Sequence, residues 1–183
     1  VQSGSNKILE AMNRKHTIEE YLGIIEKLNK VNSSIRFSSD FIIGYPGETL
    51  EDFKLTEKLT KNVQYINSYS FIFSARPGTP AFKLEKVNQS EAKERLISFQ
   101  SLAEEIKTKY RKTLIGEISN VLFENKTKEG NKYFGRDEYL NSVIATSNES
   151  LVGKIKKVKI TSGNHNTLYG EILINLSQDN YAA

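Results

Sequence analysis

The spacing of apolar positions changes along the chain, from helical in the first two thirds to alternating in the last. Thr17-Ile18-Glu19-Glu20 has the form of a capping box, in which the Thr hydroxyl accepts from an orphan amide and a Glu reaches back to the cap's own N–H. Ile18, Tyr21, Leu22, Ile25 and Leu28 then recur on one helical face, predicting a helix that stops near Asn32-Ser33-Ser34. Ahead of it, residues 6–13 predict a short helix with Ile8, Leu9 and Met12 inward. Residues 35–44 read as a strand, and the run Phe41-Ile42-Ile43 suits a strand covered on both faces, as in a parallel sheet. Gly44-Tyr45-Pro46-Gly47 breaks that strand, and Thr49-Leu50-Glu51-Asp52 caps a helix expected to reach about Asn62. A second strand, 68–73, ends in Ser74-Ala75-Arg76-Pro77-Gly78-Thr79-Pro80.

Helices and strands alternating over short connections predict an α/β fold with a parallel sheet. Only about three strand–helix units fit, so the expectation is a partial, incomplete TIM-like barrel over residues 1–85. Ser90 is expected to cap a long connecting helix, 86–115, with Ala92, Leu96, Phe99, Ala103, Ile106 and Tyr110 along one stripe. After Gly116 the period shortens. Candidate strands are 118–123, 133–146, 155–161 and 168–176, with turns at Glu129-Gly130-Asn131 and Ser162-Gly163-Asn164. Residues 116–177 therefore read as a small all-β barrel, with 178–183 as a tail.

Composition narrows the chemistry. The 183 residues are 38% hydrophobic and 26% charged, which excludes bulk disorder, and no apolar run approaches a membrane span. Cysteine is absent, so these residues offer no disulfide, thiol nucleophile or thiolate metal site. His16 and His165 stand far apart, and no metal-binding set is expected. No basic-then-apolar leader opens the sequence. It begins on Val1 rather than Met, and the first residues read like the end of a strand entering a helix, so a missing N-terminal portion of the same protein is expected. The net charge is +4, but residues 114–183 carry eight basic and eight acidic side chains. Within that balanced segment Lys154, Lys156, Lys157 and Lys159 fall inside six positions, largely on one strand face. Such a face suits phosphate contacts, and equally suits protection of a strand edge.

The sharpest motif is Ser39-Asp40-Phe41-Ile42-Ile43-Gly44-Tyr45-Pro46-Gly47-Glu48-Thr49. In a parallel sheet its loop lies at the carboxyl edge, where ligands bind. Asp40, inside an apolar strand, must find a partner or face a cavity. A plain tight turn with a structurally paired Asp40 is the alternative. Arg76, in a stiff Pro-Gly loop, could grip a phosphate or carboxylate, or lie in solvent. Arg14, beside Lys15 and His16 between two helices, could touch a nucleic-acid backbone, although short basic clusters are more often solvated.

Together with Gln2-Ser3-Gly4-Ser5, Met12-Asn13-Arg14 and Ser70-Phe71-Ile72-Phe73-Ser74-Ala75-Arg76-Pro77-Gly78-Thr79-Pro80-Ala81, this motif resembles the radical S-adenosylmethionine methylthiotransferases, most closely the MiaB-type tRNA enzymes. The resemblance implies the last part of a radical SAM barrel followed by a TRAM RNA-binding barrel. It implies S-adenosylmethionine and two [4Fe–4S] clusters as cofactors, although this sequence has none of the family's six cluster cysteines. It also implies tRNA as partner, a cytoplasmic location, no membrane, and methylthiolation of an isopentenylated adenosine beside the anticodon. By motif matching, Gln2, Ser3, Ser39, Asp40, Ile42, Gly44, Phe71 and Phe73 would line the S-adenosylmethionine pocket. Arg14, Arg76, Lys154, Lys156, Lys157 and Lys159 would face RNA. The Arg-Pro form of the 76–80 loop is like that of the tRNA enzymes rather than relatives acting on a ribosomal protein. No catalytic residue is expected within this chain. A non-catalytic RNA-binding relic, or an enzyme acting on another tRNA base or a ribosomal protein, is the alternative.

Overall fold

Two strands, β1 (Ser38–Ile43) and β2 (Asn67–Ile72), pair in parallel with Asp40 opposite Tyr69 and Ile42 opposite Phe71. They belong to the first of two units, Val1–Lys107, in a computed structural model that describes residues 1–173; the second unit begins at Thr108. Both expected capping boxes form. Thr17 opens α2 (Ile18–Val31) with Glu20, and Thr49 opens α3 (Leu50–Val63) with Asp52. The short α1 (Asn6–Ala11) buries Ile8 and Leu9, while Met12 becomes its C-cap and stays half-exposed rather than inward.

β1 starts later than residue 35 because a polar turn occupies the approach. Asn32 Oδ1 accepts from the Ser34 amide, and the Arg36 guanidinium donates to the Ser33 and Ile35 carbonyls. The strand is also covered on one face only. Phe41 and Ile43 are fully buried, with the Phe41 ring 5.5 Å from Tyr65 and 4.7 Å from Phe99. Ser38 and Asp40 are exposed, and Ile42 is half-buried. The expectation of cover on both faces is thus corrected within these residues: the alternation of a strand sends 39, 41 and 43 to the helices and leaves 40 and 42 open.

Residues 1–3 run beside β1. The Ile42 amide donates to the Gln2 carbonyl at 3.0 Å, and Ser39 Oγ donates to the Val1 carbonyl. Just beyond, the chain crosses α3 closely. The Gly4 amide donates to Thr56 Oγ1 (2.9 Å), and a Cβ at Gly4 would lie 2.4 Å from the Leu55 carbonyl oxygen. Only glycine fits there.

The long helix α4 (Gln89–Thr113) lays Ala92, Phe99 and Ile106 into buried positions, and Phe99 joins the core of Phe41, Ile43, Phe53, Leu59 and Tyr65. Its start is held by Asn88, whose Oδ1 accepts from both the Ser90 amide and hydroxyl; Ser90 lies inside the first turn rather than capping it.

In the second unit, β3 (Ile118–Lys126), β4 (Lys132–Arg136), β5 (Ser142–Thr146), β6 (Ile155–Gly163) and β7 (Leu168–Ile172) close into a barrel in the order β3-β4-β5-β7-β6. All neighbours are antiparallel except β5 and β7. Val121, Phe123, Val143, Val158, Ile160 and Leu168 fill it. The single strand expected over 133–146 is two strands. Asp137 breaks it by accepting from the Tyr139 and Asn141 amides and from Asn141 Nδ2, a turn built on its own carboxylate. The expected last strand ends at Ile172, and its residues 174–176, like the tail, lie outside the described residues. Among the described residues no helix is long and apolar enough to cross a membrane.

Candidate functional site

β1 and β2 present their open face together. Asp40, Ile42, Tyr69 and Phe71 lie on it as two directly paired rows, with Tyr69 60% and Phe71 58% exposed. Gln2 flanks this face through its carbonyl contact to Ile42, and is half-buried. A carboxylate beside an aliphatic and two aromatic side chains offers an acceptor for hydroxyl groups and a flat apolar surface for a ring. Sequence placed Tyr69 in the second strand without giving it a role in the site; strand parity with Phe71 was the signal that could have found it.

The remaining cofactor candidates are placed differently. Ser3 is buried, its Oγ 3.3 Å from Thr56 Oγ1 and accepting from the Ser5 amide, so it faces α3. Ser39 is bonded to Val1 on the helix-covered side of β1. Gly44 turns the chain with φ of 71°, and a Cβ there would lie 2.8 Å from the Ala92 Cβ. These three fix the position of the open face from behind. Phe73 follows β2; its amide donates to the Ile43 carbonyl, and its ring meets Tyr45 edge-on at 4.8 Å.

The loop after β1 is pinned from two sides. Lys7 Nζ donates to the Gly47 carbonyl and to Asp52 Oδ2, and the Tyr45 hydroxyl donates to the Ala11 carbonyl. From α4, Arg95 donates to the carbonyl and carboxylate of Glu48, whose Oε1 also accepts from the Gly44 amide. Burial pushes the Glu48 carboxyl up, against the pull of the Gly44 amide and Arg95. Asp52 goes the other way. Burial would raise it, but the Thr49 amide, Ser5, Lys7 and the Thr49 hydroxyl hold it down at about 2. Sequence reasoning missed Lys7 and Arg95, and treated Glu48 only as a residue near a helix start.

A separate groove of about 460 Å³ lies between α2 and α3, lined by Ile18, Leu22, Leu55, Leu59, Lys7 and Lys58 among others. None of the residues proposed for the cofactor lines it.

Arg14 is exposed after α1. Arg76 is also exposed, and its carbonyl is tied into the turn by the Thr79 amide and hydroxyl. The lysine cluster is split, correcting the expectation of a single lysine face. Lys157 and Lys159 point outward with Ile155, across from Asn120, Ile118 and Leu122. Lys156 has the inward parity of Val158 and Ile160 and is half-buried, and Lys154 sits in the turn before β6. The outward face also carries Arg136, which pairs with Glu124 and lies over the Phe134 ring. Glu171 lies directly across from Lys159 on β7.

Residues 1–60 match the family model described as the Radical SAM superfamily, and residues 112–173 match the TRAM domain. The chain is similar to proteins named tRNA-2-methylthio-N(6)-dimethylallyladenosine synthase. It is 55% identical over 172 residues to that of Pelagibacter ubique (strain HTCC1062), covering 94% of this chain and 39% of that protein. It is 46% identical over 173 residues to that of Wolbachia pipientis subsp. Culex pipiens (strain wPip), covering 93% and 39%. It is 44% identical over 175 residues to that of Rickettsia felis, covering 94% and 39%. The chain thus spans about two fifths of the length of these curated relatives.

Proposed function

We propose, from the match of residues 1–60 to the Radical SAM superfamily model and of residues 112–173 to the TRAM domain model, that this chain is part of a tRNA methylthiotransferase. It would supply one wall of the cofactor pocket and the RNA-binding barrel. The observation that carries the reading is continuity. Similarity to the synthases runs through 93–94% of the chain, taking in both units and the helix that joins their sequences. In this reading residues 1–85 are the end of a partial parallel barrel, 86–115 the connecting helix, and 116–177 the RNA-binding domain. The substrate is tRNA bearing N6-dimethylallyladenosine, with the cytoplasm as its location.

The open face fits a sulfonium nucleoside. Asp40 would accept from the ribose hydroxyls, while Ile42, Tyr69 and Phe71 would lie against the adenine, and Gln2 would border the same surface. Ser3, Ser39 and Gly44 would keep that wall in place without touching the nucleoside. Phe73 would close its carboxyl edge with Tyr45. S-adenosylmethionine, when bound, supplies both radical initiation and the methyl group. The two [4Fe–4S] clusters do not fit these residues, because the sequence has no cysteine to ligate them. Their ligands would come from outside this sequence. Lys157 and Lys159, with Arg14 and Arg76, would contact RNA phosphates, and Lys154 and Lys156 would add charge at the near end of β6.

The test uses the complete gene product that carries this segment, with clusters reconstituted and S-adenosylmethionine added. Mass spectrometry of digested tRNA should show the methylthio group on dimethylallyladenosine and none on tRNA that lacks the dimethylallyl group. Modification of a ribosomal protein instead would overturn the substrate assignment.

A further inference from the structure

The loop that leaves β1 is shaped by a helix far away in sequence. Glu48 is 5% exposed, and a carboxylate that deep needs partners. It has three contacts: the Gly44 amide at 3.0 Å and Arg95 Nη1 at 3.1 Å on Oε1, and Arg95 Nη1 again at 3.0 Å on its own carbonyl. Arg95 is itself largely buried and reaches back with Nη2 to Glu91, one turn earlier on α4. Starting α3 does not require this arrangement, since Thr49 and Asp52 already cap that helix. What the pair does is close the loop on itself, Glu48 onto Gly44, and fasten the closed loop to α4.

The fastening has no slack. Gly44 packs on Ala92, one turn before Arg95, so closely that a methyl group would collide. On the loop's other side Tyr45 meets Phe73, the continuation of the row that carries Tyr69 and Phe71. A shift of Glu48 therefore moves Gly44 and Tyr45, and through them the carboxyl edge of the open face.

We propose that Arg95 is a positioning residue for the cofactor wall: acting through Glu48, it fixes residues 44–49 and thereby sets the affinity for S-adenosylmethionine. The proposal rests on the radical SAM reading of the open face. It adds a residue on the connecting helix, outside the segment that matches the radical SAM family.

Two measurements test it. On the complete protein, Arg95→Met should speed hydrogen exchange at the Gly44 amide by about tenfold or more, as expected for one charge-assisted hydrogen bond lost. On the complete cluster-loaded protein, the same variant should bind S-adenosylmethionine about tenfold more weakly while tRNA affinity is unchanged. Arg95→Lys keeps the charge without the forked geometry, and should fall between the two. It also decides the matter if the Met variant does not fold. Unchanged S-adenosylmethionine affinity in the folded variants overturns the proposal even if exchange quickens. Equal losses for S-adenosylmethionine and tRNA overturn it as well, by showing general destabilisation. A wild-type protein that binds no S-adenosylmethionine removes the radical SAM reading itself, and the proposal falls with it.

Discussion

Replacing Asp52 by Asn should destabilise the first unit in a way that depends on pH. Asp52 accepts from Ser5 Oγ (2.7 Å), from Lys7 Nζ, and from both the amide and the hydroxyl of Thr49. It therefore joins the start of α3 to the segment that holds Gln2 beside β1. Asn keeps one acceptor oxygen and turns an NH₂ toward groups that are themselves donors. Holding the carboxyl at about 2 rather than its ordinary 3.8 corresponds to roughly 2 kcal/mol at neutral pH. Lys7 is 60% exposed, so solvent screening trims the expectation to about 1–2 kcal/mol. The sign follows from the depressed folded value. The stabilisation is complete above the unfolded value near 4 and is lost as pH falls toward 2. About half should be gone at roughly pH 3. Urea titrations followed by helical circular dichroism isolate this unit, since the barrel contributes strands. Wild type should exceed Asp52→Asn by about 1–2 kcal/mol at neutral pH, and the two should converge in acid. Equal stability at neutral pH, or a gap that persists undiminished down to about pH 2, would refute the account.

Two further outcomes follow from the barrel. A Cβ at Gly170 would lie 2.4 Å from Val158 Cγ1 and 2.6 Å from the Lys159 carbonyl oxygen, so Gly170→Ala should cost about 2–3 kcal/mol. Exchange protection at Val158 and Ile160 would fall with it, and full protection in the variant would contradict the close approach. Removing both Lys157 and Lys159 should weaken tRNA binding and lower the slope of log affinity against log salt by about two, one for each phosphate contact. Lys156→Ala should change it less, and a larger effect from Lys156 would show that strand parity misassigns the RNA face.

The parts legible in the sequence are those fixed by near neighbours. Thr17 with Glu20 and Thr49 with Asp52 form as their spacing required, because a capping box is settled within four residues. Phe41 and Ile43 are buried and Phe99 joins them, as apolar periodicity implies. Local rules failed where a side chain outcompeted the pattern. The Asp137 carboxylate gathers two amides and splits one expected strand, and Asn88 takes the cap expected of Ser90. The lysine cluster misled through counting density instead of parity. In a strand, neighbours point apart, so four lysines in six positions cannot share one face.

The candidate cofactor wall divides along the same line. Asp40, Ile42 and Phe71 come together because alternation along two paired strands places them on one side, while Gln2 flanks them only through its carbonyl contact to Ile42. The same rule assigns Ser39 to the opposite side, and Gly44 is committed there by its contact with Ala92. Motif matching could not separate these two groups, since a motif names residues that matter without distinguishing contact from support. Glu48 and Arg95 were beyond reach altogether. They are 47 positions apart, and each alone reads as an ordinary surface charge. Only folding shows that Glu48 is buried and Arg95 largely so, and burial turns the pair from a surface ornament into a constraint: two desolvated charges must meet, so α4 and the loop after β1 must stay together. The open face owes its shape less to the residues displayed on it than to those packed out of sight behind it.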